Sequence, residues 1–191
     1  NKTVLYGHPM TDRLTRKTWI EHGFDVLRYE GHEKLKAEVM AKALGVSRGS
    51  FYWHFPSLGD FHDALLATWR EENTLDIISQ LGKLSSAQAQ ISALIQMGID
   101  TPQPLENGMR RWGGVNGEVA VALAEVDQIR TSYLTELLIE TGLPEQVARD
   151  RAVLLTWAAI GRAFAPDLIT QTSASTGHEL SKIFVPSTHE E

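Results

Sequence analysis

The sequence predicts an all-α protein, with a small three-helix N-terminal unit followed by a larger helical bundle. Three observations predict it. Prolines fall only at 9, 56, 102, 104, 144, 166 and 186, leaving long proline-free stretches after Pro56. Apolar residues in those stretches recur at helical spacing, with little of the alternation that marks strands. Charge also divides the 191-residue chain. Residues 1–56 carry nine Lys/Arg against six Asp/Glu, and residues 57–191 nine against eighteen, so a basic head precedes an acidic body. Two domains are expected, 1–56 (with an N-terminal arm) and 57–191.

The first helix covers residues 12–30, placing Ile20, Phe24 and Leu27 on one face and ending near Gly31. A short second helix carries Val39, Met40, Ala43 and Leu44 as its apolar face. Gly45 then supplies the left-handed backbone position that ends it, and Val46 packs behind the turn. Ser47 is placed to N-cap a third helix, residues 48–54, which buries Phe51 together with Phe55. Ala41 is small, as it must be where two helices cross closely. This is the spacing of a helix-turn-helix, with 48–54 as its recognition helix.

Residues 58–81 continue with Phe61, Leu65, Trp69 and Ile77 or Ile78 on one side, capped by Ser57 with Asp60. Ser86–Asp100 offers Ile91, Leu94, Ile95 and Met97. Gly113-Gly114-Val115-Asn116-Gly117 breaks one helix and starts the next, 117–141, whose stripe is Val119, Leu123, Val126, Tyr133 and Leu137. Residues 144–165 open with Pro144 at a first helical position and are apolar on almost every side. Such a helix must be covered on all sides. Residues 170–177 read as a loop and the tail after Pro186 as disordered.

Composition narrows the function. With 42% hydrophobic and 22% charged residues the chain is of ordinary globular type. The absence of cysteine excludes disulfides, thiolate zinc sites and cysteine nucleophiles. The longest apolar run, 152–160, is interrupted by Thr156 and flanked by Arg151 and Arg162, too short for a membrane span of ~18 residues. No membrane partner is expected. The chain starts at Asn1, so a few leading residues are expected ahead of it, and no secretory signal shows there. A cytoplasmic, nucleoid-associated location is expected.

Lys36, Arg48, Gly49, Ser50, Tyr52, Trp53 and His54 are the candidate DNA-binding residues. A globular protein has little reason to expose Tyr, Trp and His in a row, whereas a DNA reader does. Arg48 is suited to guanine edges, Ser50 to bases or phosphates, and Gly49 to close approach. Tyr52 and His54 suit phosphate oxygens, Lys36 offers a cation at the start of the preceding helix, and Trp53 has packing against the first helix as an alternative.

Gly31–Leu66, centred on Ala41-Lys-Ala-Leu-Gly-Val-Ser-Arg-Gly-Ser-Phe-Tyr-Trp-His-Phe55, resembles the DNA-binding domain of the TetR family of transcriptional regulators. Trp112, Val126-Asp127, Arg130, Tyr133-Leu134, Gly142 and Arg151-Ala152 resemble that family's effector domain. The chain departs from the pattern in two places: Leu58 stands where many relatives have Lys, and Lys36-Ala37-Glu38 where they commonly have Thr. The resemblance implies a homodimer that binds a palindromic double-stranded operator and is released by a small-molecule effector.

Met and Trp beside a glycine-rich helix break can line an adaptable apolar pocket. Trp69, Met97, Met109, Trp112 and Tyr133 are therefore the candidate ligand-binding residues, with core packing as the alternative for each. Trp157, Ile160, Gly161 and Phe164 are the candidate dimer interface. Nothing points to a cofactor, metal or catalytic group. No two of the seven histidines stand at i, i+4 on one helix, and no nucleophile elbow or phosphate loop appears. The expected function is thus a ligand-responsive DNA-binding regulator that acts as a repressor, and not an enzyme. The alternatives are a sensor or scaffold of this fold with weak or lost DNA binding, and an all-helical enzyme.

Overall fold

The computed structural model describes residues 14–168 and 173–186. Ten α-helices follow one another along those residues: α1 (Arg16–Tyr29), α2 (Ala37–Ala43), α3 (Arg48–His54), α4 (Leu58–Arg70), α5 (Asp76–Leu81), α6 (Ala87–Asp100), α7 (Pro104–Gly113), α8 (Gly117–Glu140), α9 (Glu145–Phe164) and α10 (Thr176–Phe184). There is no strand among the described residues. No described helix is long and apolar enough to cross a membrane. The expected N-terminal arm, part of the expected loop at 170–177 and the tail after Pro186 lie outside the described residues.

Local chemistry sets several boundaries. Thr15 caps α1, its hydroxyl accepting from the Thr18 amide at 3.1 Å. Ser57, Ser86 and Asn116 cap α4, α6 and α8 in the same way. Gly31 and Gly142 adopt φ of +98° and +95°, a region that only glycine enters without strain. Pro144 is a correction by one position: it is the N-cap of α9 and not its first residue.

Three features depart from the sequence expectation. Residues 58–81 are not one regular helix, because a π turn at Glu71–Leu75 separates α4 from α5. The widened turn presents the Asn73 carbonyl and the Thr74 hydroxyl to Arg130 of α8, which donates to both, at 3.2 and 3.1 Å. Pro104 starts α7, a ten-residue helix too short to declare itself by periodicity. The chain from Thr176 is helical, where the sequence reads as loop to residue 177. Gly177 lets α10 press against Ser92 and Gln96 of α6, and Ser181 is buried there between Ser92 and Gln88.

Two apolar clusters organise the molecule. The larger includes Trp19, Phe24, Phe51, Phe55, Phe61, Leu65, Trp69, Met109, Trp112 and Val119, so it runs from α1 to α8 across residue 57 without a break. Helix α4 causes this, because Phe61 meets the head's aromatic residues while Trp69 lies in the body. Gly108 seals the junction. A Cβ there would overlap the Leu27 carbonyl, so only glycine lets α7 ride on the end of α1. The second cluster packs Ile91, Leu134, Leu137, Leu138, Ala148 and Ala152 between α6, α8 and α9.

Candidate nucleic-acid interface

Helices α2 and α3 are joined by a tight turn whose bonds follow from its residues. Gly45 has φ +69°, and the Val46 amide donates to the Ala41 carbonyl at 3.0 Å. Ala41 and Met40 are buried at the crossing. Ser47 is the N-cap of α3 by position, but its side chain makes no capping bond, a correction to its expected role. Helix α3 is therefore held from below. Phe51 is fully buried and meets Trp19, Phe55 and Phe61 at centroid distances of 5.3, 5.4 and 5.3 Å. Aromatic pairs in these orientations add about 0.5–1.5 kcal/mol each beyond the area they bury.

The opposite face of α3 is open. Arg48 and Gly49 are exposed, Ser50 is half-buried, Tyr52 is 40% exposed and Trp53 66% exposed. Trp53 meets the His54 ring edge-on at 4.6 Å. Lys36, exposed, is the N-cap of α2, and its side chain makes no cap bond. The structure thus gathers Arg48, Gly49, Ser50, Tyr52 and Trp53 on one short helix, with Lys36 at the start of its partner. Leu58 is packed against the core at the start of α4. The Ser57 hydroxyl accepts from the Asp60 amide at 3.1 Å and lies 2.6 Å from the Asp60 carboxylate.

His54 is occupied differently from the sequence expectation of a phosphate contact. Its Nε2 lies 2.7 Å from the Leu14 carbonyl, which can only accept, so Nε2 carries the proton. Arg16 donates to the His54 carbonyl at 2.9 Å and stacks over Phe55 at 4.3 Å. These contacts lock the start of α1 onto the end of α3. Sequence reasoning missed Leu14 and Arg16, and no motif signals a bond between residues so far apart in the chain.

The candidate ligand residues do not share a cavity. Trp69, Met109 and Trp112 are buried in the larger cluster, Tyr133 packs on the second, and Met97 lies at the surface. The Tyr133 hydroxyl donates to Gln90 at 2.6 Å. An open cleft of about 500 Å³ lies between Ser57–Asp63 and Glu118–Glu125. A smaller one of about 150 Å³ borders Trp69, Arg70 and Val126. Helices α7 and α8 also carry a charge network that the sequence reading did not find: Arg110 binds Glu106 and Asp127, and Arg130 binds Glu106 while lying over the Trp69 ring. Burial works against the Arg110 charge, but Asp127 and Glu106 outweigh it and hold the guanidinium more firmly protonated than usual. The i, i+4 spacing of Glu106 and Arg110 was the one legible sign of it.

On α9 the buried residues are Ala148, Ala152, Thr156 and Ala163. Trp157, Phe164 and Gly161 face outward and Ile160 is half-buried. No group of acidic and histidine side chains that could hold a metal occurs among the described residues.

No protein-family model matches the chain, and no curated protein does. Solved structures do. The chain is similar to a TetR transcriptional regulator from Legionella pneumophila, with 15% identity, a TM-score of 0.68, and coverage of 92% of this chain and 97% of that one. It is similar to a TetR/AcrR-family regulator from Thermobifida fusca, at 17% identity and TM-score 0.64, covering 92% and 98% of the two chains. It is also similar to the superantigen PfiT, at 17% identity and TM-score 0.65, covering 91% and 95%.

Proposed function

We propose that this chain, whose fold is that of the TetR-type regulators, is a DNA-binding transcriptional regulator that acts as a homodimeric repressor. The carrying observation is α3. One face is locked into an aromatic core, and the other exposes Arg48, Tyr52 and Trp53, while Lys36 is exposed at the start of α2. A rigid helix with a guanidinium, hydroxyls and a glycine on its free face suits the major groove, where such groups meet base edges and phosphates. The head as a whole is basic although the chain is acidic, which limits the phosphate attraction to the surface that needs it.

Pairing of two chains through the outward face of α9 would set two recognition helices about 34 Å apart, one turn of DNA or a near multiple. Leu154, Trp157, Gly161 and Phe164 follow one another at spacings of three and four, the stripe of a helix that meets a second helix. The effector reading uses the path from body to head. A small molecule entering beside Trp69, between α4 and α8, would disturb Arg130 and the π turn, and α4 carries that disturbance to Phe61 and the head. It shifts the population only by its preference for the released state.

A second reading has its own support. Glu38 is exposed near Arg48, Leu58 takes the place of a cation, and the fold likeness extends to a superantigen, so the fold does not decide the activity. On that reading the chain is a sensor or scaffold that has lost strong DNA binding. Selection of duplexes from a random pool by the purified chain separates the two. Enrichment of a palindromic sequence supports the regulator, and no enrichment above a non-specific background supports the scaffold.

A further inference from the structure

Arg48 and Tyr52 stand one turn apart on the free face of α3. Arg48 Nη2 donates to the Tyr52 hydroxyl oxygen at 3.2 Å, and the guanidinium carbon lies 5.1 Å from the centroid of the Tyr52 ring. The Tyr52 ring is itself held from behind, because it meets Phe51 edge-on at 5.3 Å with an interplanar angle of 85°. Phe51 is fully buried. The guanidinium therefore rests on a ring that is anchored in the head's core, although both side chains reach solvent.

We infer that Tyr52 is a positioning residue for sequence reading: it aims Arg48 at a base pair, and its hydroxyl does not serve chiefly to hold a phosphate. This rests on the regulator reading above. Arginine carries five N–H donors, so one given to Tyr52 leaves a second on Nη2 and two on Nη1, enough for a bidentate pair with guanine O6 and N7. A free arginine on a solvent-exposed helix samples many rotamers and loses that freedom on binding. Resting on Tyr52 removes part of the loss beforehand, and it removes more for one orientation than for the others. Orientation is what separates one base pair from the next. The neighbouring charges act in the same direction. The Glu38 carboxylate acts on the Arg48 cation from the neighbouring helix. Glu38 also makes this spot less attractive to a phosphate, so Arg48 gains more from a base edge than from the backbone.

The test uses the full chain and the duplex it enriches from a random pool. Affinities for that duplex and for its single-base-pair variants are measured by fluorescence anisotropy for wild type, Arg48→Ala, Tyr52→Phe and the double variant. Tyr52→Phe keeps the ring and the edge contact with Phe51 and loses only the hydroxyl, so the head stays folded. Arg48→Ala is expected to flatten the preference at one base pair by roughly 5- to 150-fold. Tyr52→Phe should flatten the same base pair by roughly 2- to 10-fold, the size of one lost hydrogen bond, and should add nothing to Arg48→Ala. If Tyr52→Phe instead weakens every duplex by one factor, or adds fully to Arg48→Ala, Tyr52 is a phosphate anchor and the inference is overturned while the regulator reading stands. If wild type enriches no sequence, both are overturned.

Discussion

Removing the Trp157 side chain should dissociate the proposed dimer and leave the monomer folded. Trp157 is 67% exposed in the single chain, as are Leu154 and Phe164 at 54% and 53%. A buried aromatic side chain removes about 150–250 Å² from water, so covering the exposed two-thirds would remove roughly 100–170 Å² per protomer. A twofold interface counts that area twice, which at about 25 cal/mol/Å² sets an upper bound of roughly 5–8 kcal/mol. Partial coverage and side-chain ordering reduce it, and Trp157→Ala is expected to cost about 2–4 kcal/mol of dimerisation free energy. Each 1.4 kcal/mol is about tenfold, so the dissociation constant should rise by roughly 30- to 1000-fold. Sedimentation velocity across a micromolar dilution series reads this directly, and circular dichroism checks that both chains remain helical. Gly161→Arg is the companion variant. A Cβ at Gly161 meets nothing within 4 Å in the single chain, so the monomer tolerates a side chain there and a facing helix does not. A wild type that sediments as a monomer, or a Trp157→Ala dimer of unchanged affinity, refutes the argument.

Gly108→Ala should destabilise the fold by about 1–3 kcal/mol, read from urea midpoints, because its methyl group must displace the Leu27 carbonyl at the junction of α7 and α1. Arg110→Leu should cost about 3 kcal/mol in the same assay by leaving Asp127 half-buried without its cation, and Arg110→Lys should recover only part, since Lys cannot make the two parallel bonds. His62 should make stability depend on pH. Burial holds its imidazole below the ordinary 6.5, against the opposing pull of the Leu35 carbonyl, Asp63 and Glu118, and its Nε2 has no partner. The unfolded chain then binds the proton more readily than the folded one, so stability falls as pH drops through about 6.5 towards the lower folded value. His62→Gln should flatten that slope, and an unchanged slope would assign it to another group.

Much of the head was legible because its constraints are local. Gly45 must be glycine to enter the left-handed region, Ala41 must be small at the crossing, and Phe51 and Phe55 fall four apart on the buried side of a short helix. Each of these acts over a few residues, so the order of residues alone declares the turn and the free face of α3. The cap at Ser57 belongs to the same class.

The rest depended on which helix lies against which. His54 reads as a phosphate ligand by its position, yet the approach of Leu14 at the other end of the head takes its Nε2. Met109 and Trp112 read as pocket residues beside a glycine-rich break, and the packing of α7 on α1 puts them in the main core instead of around a common cavity with Met97 and Tyr133. The π turn at Glu71–Leu75 has no signature in periodicity, and its carbonyl at Asn73 is taken up by Arg130 from α8. What the sequence by itself determined was therefore the helical class, the turn between α2 and α3, and the side chains that the open face of α3 exposes. The tertiary structure alone decided how the head joins the body, which aromatic residues are core, and which polar groups are already satisfied. The physical reason is range: dihedral preferences and caps act within one turn of chain, whereas burial and pairing are properties of surfaces that meet only once the chain has folded.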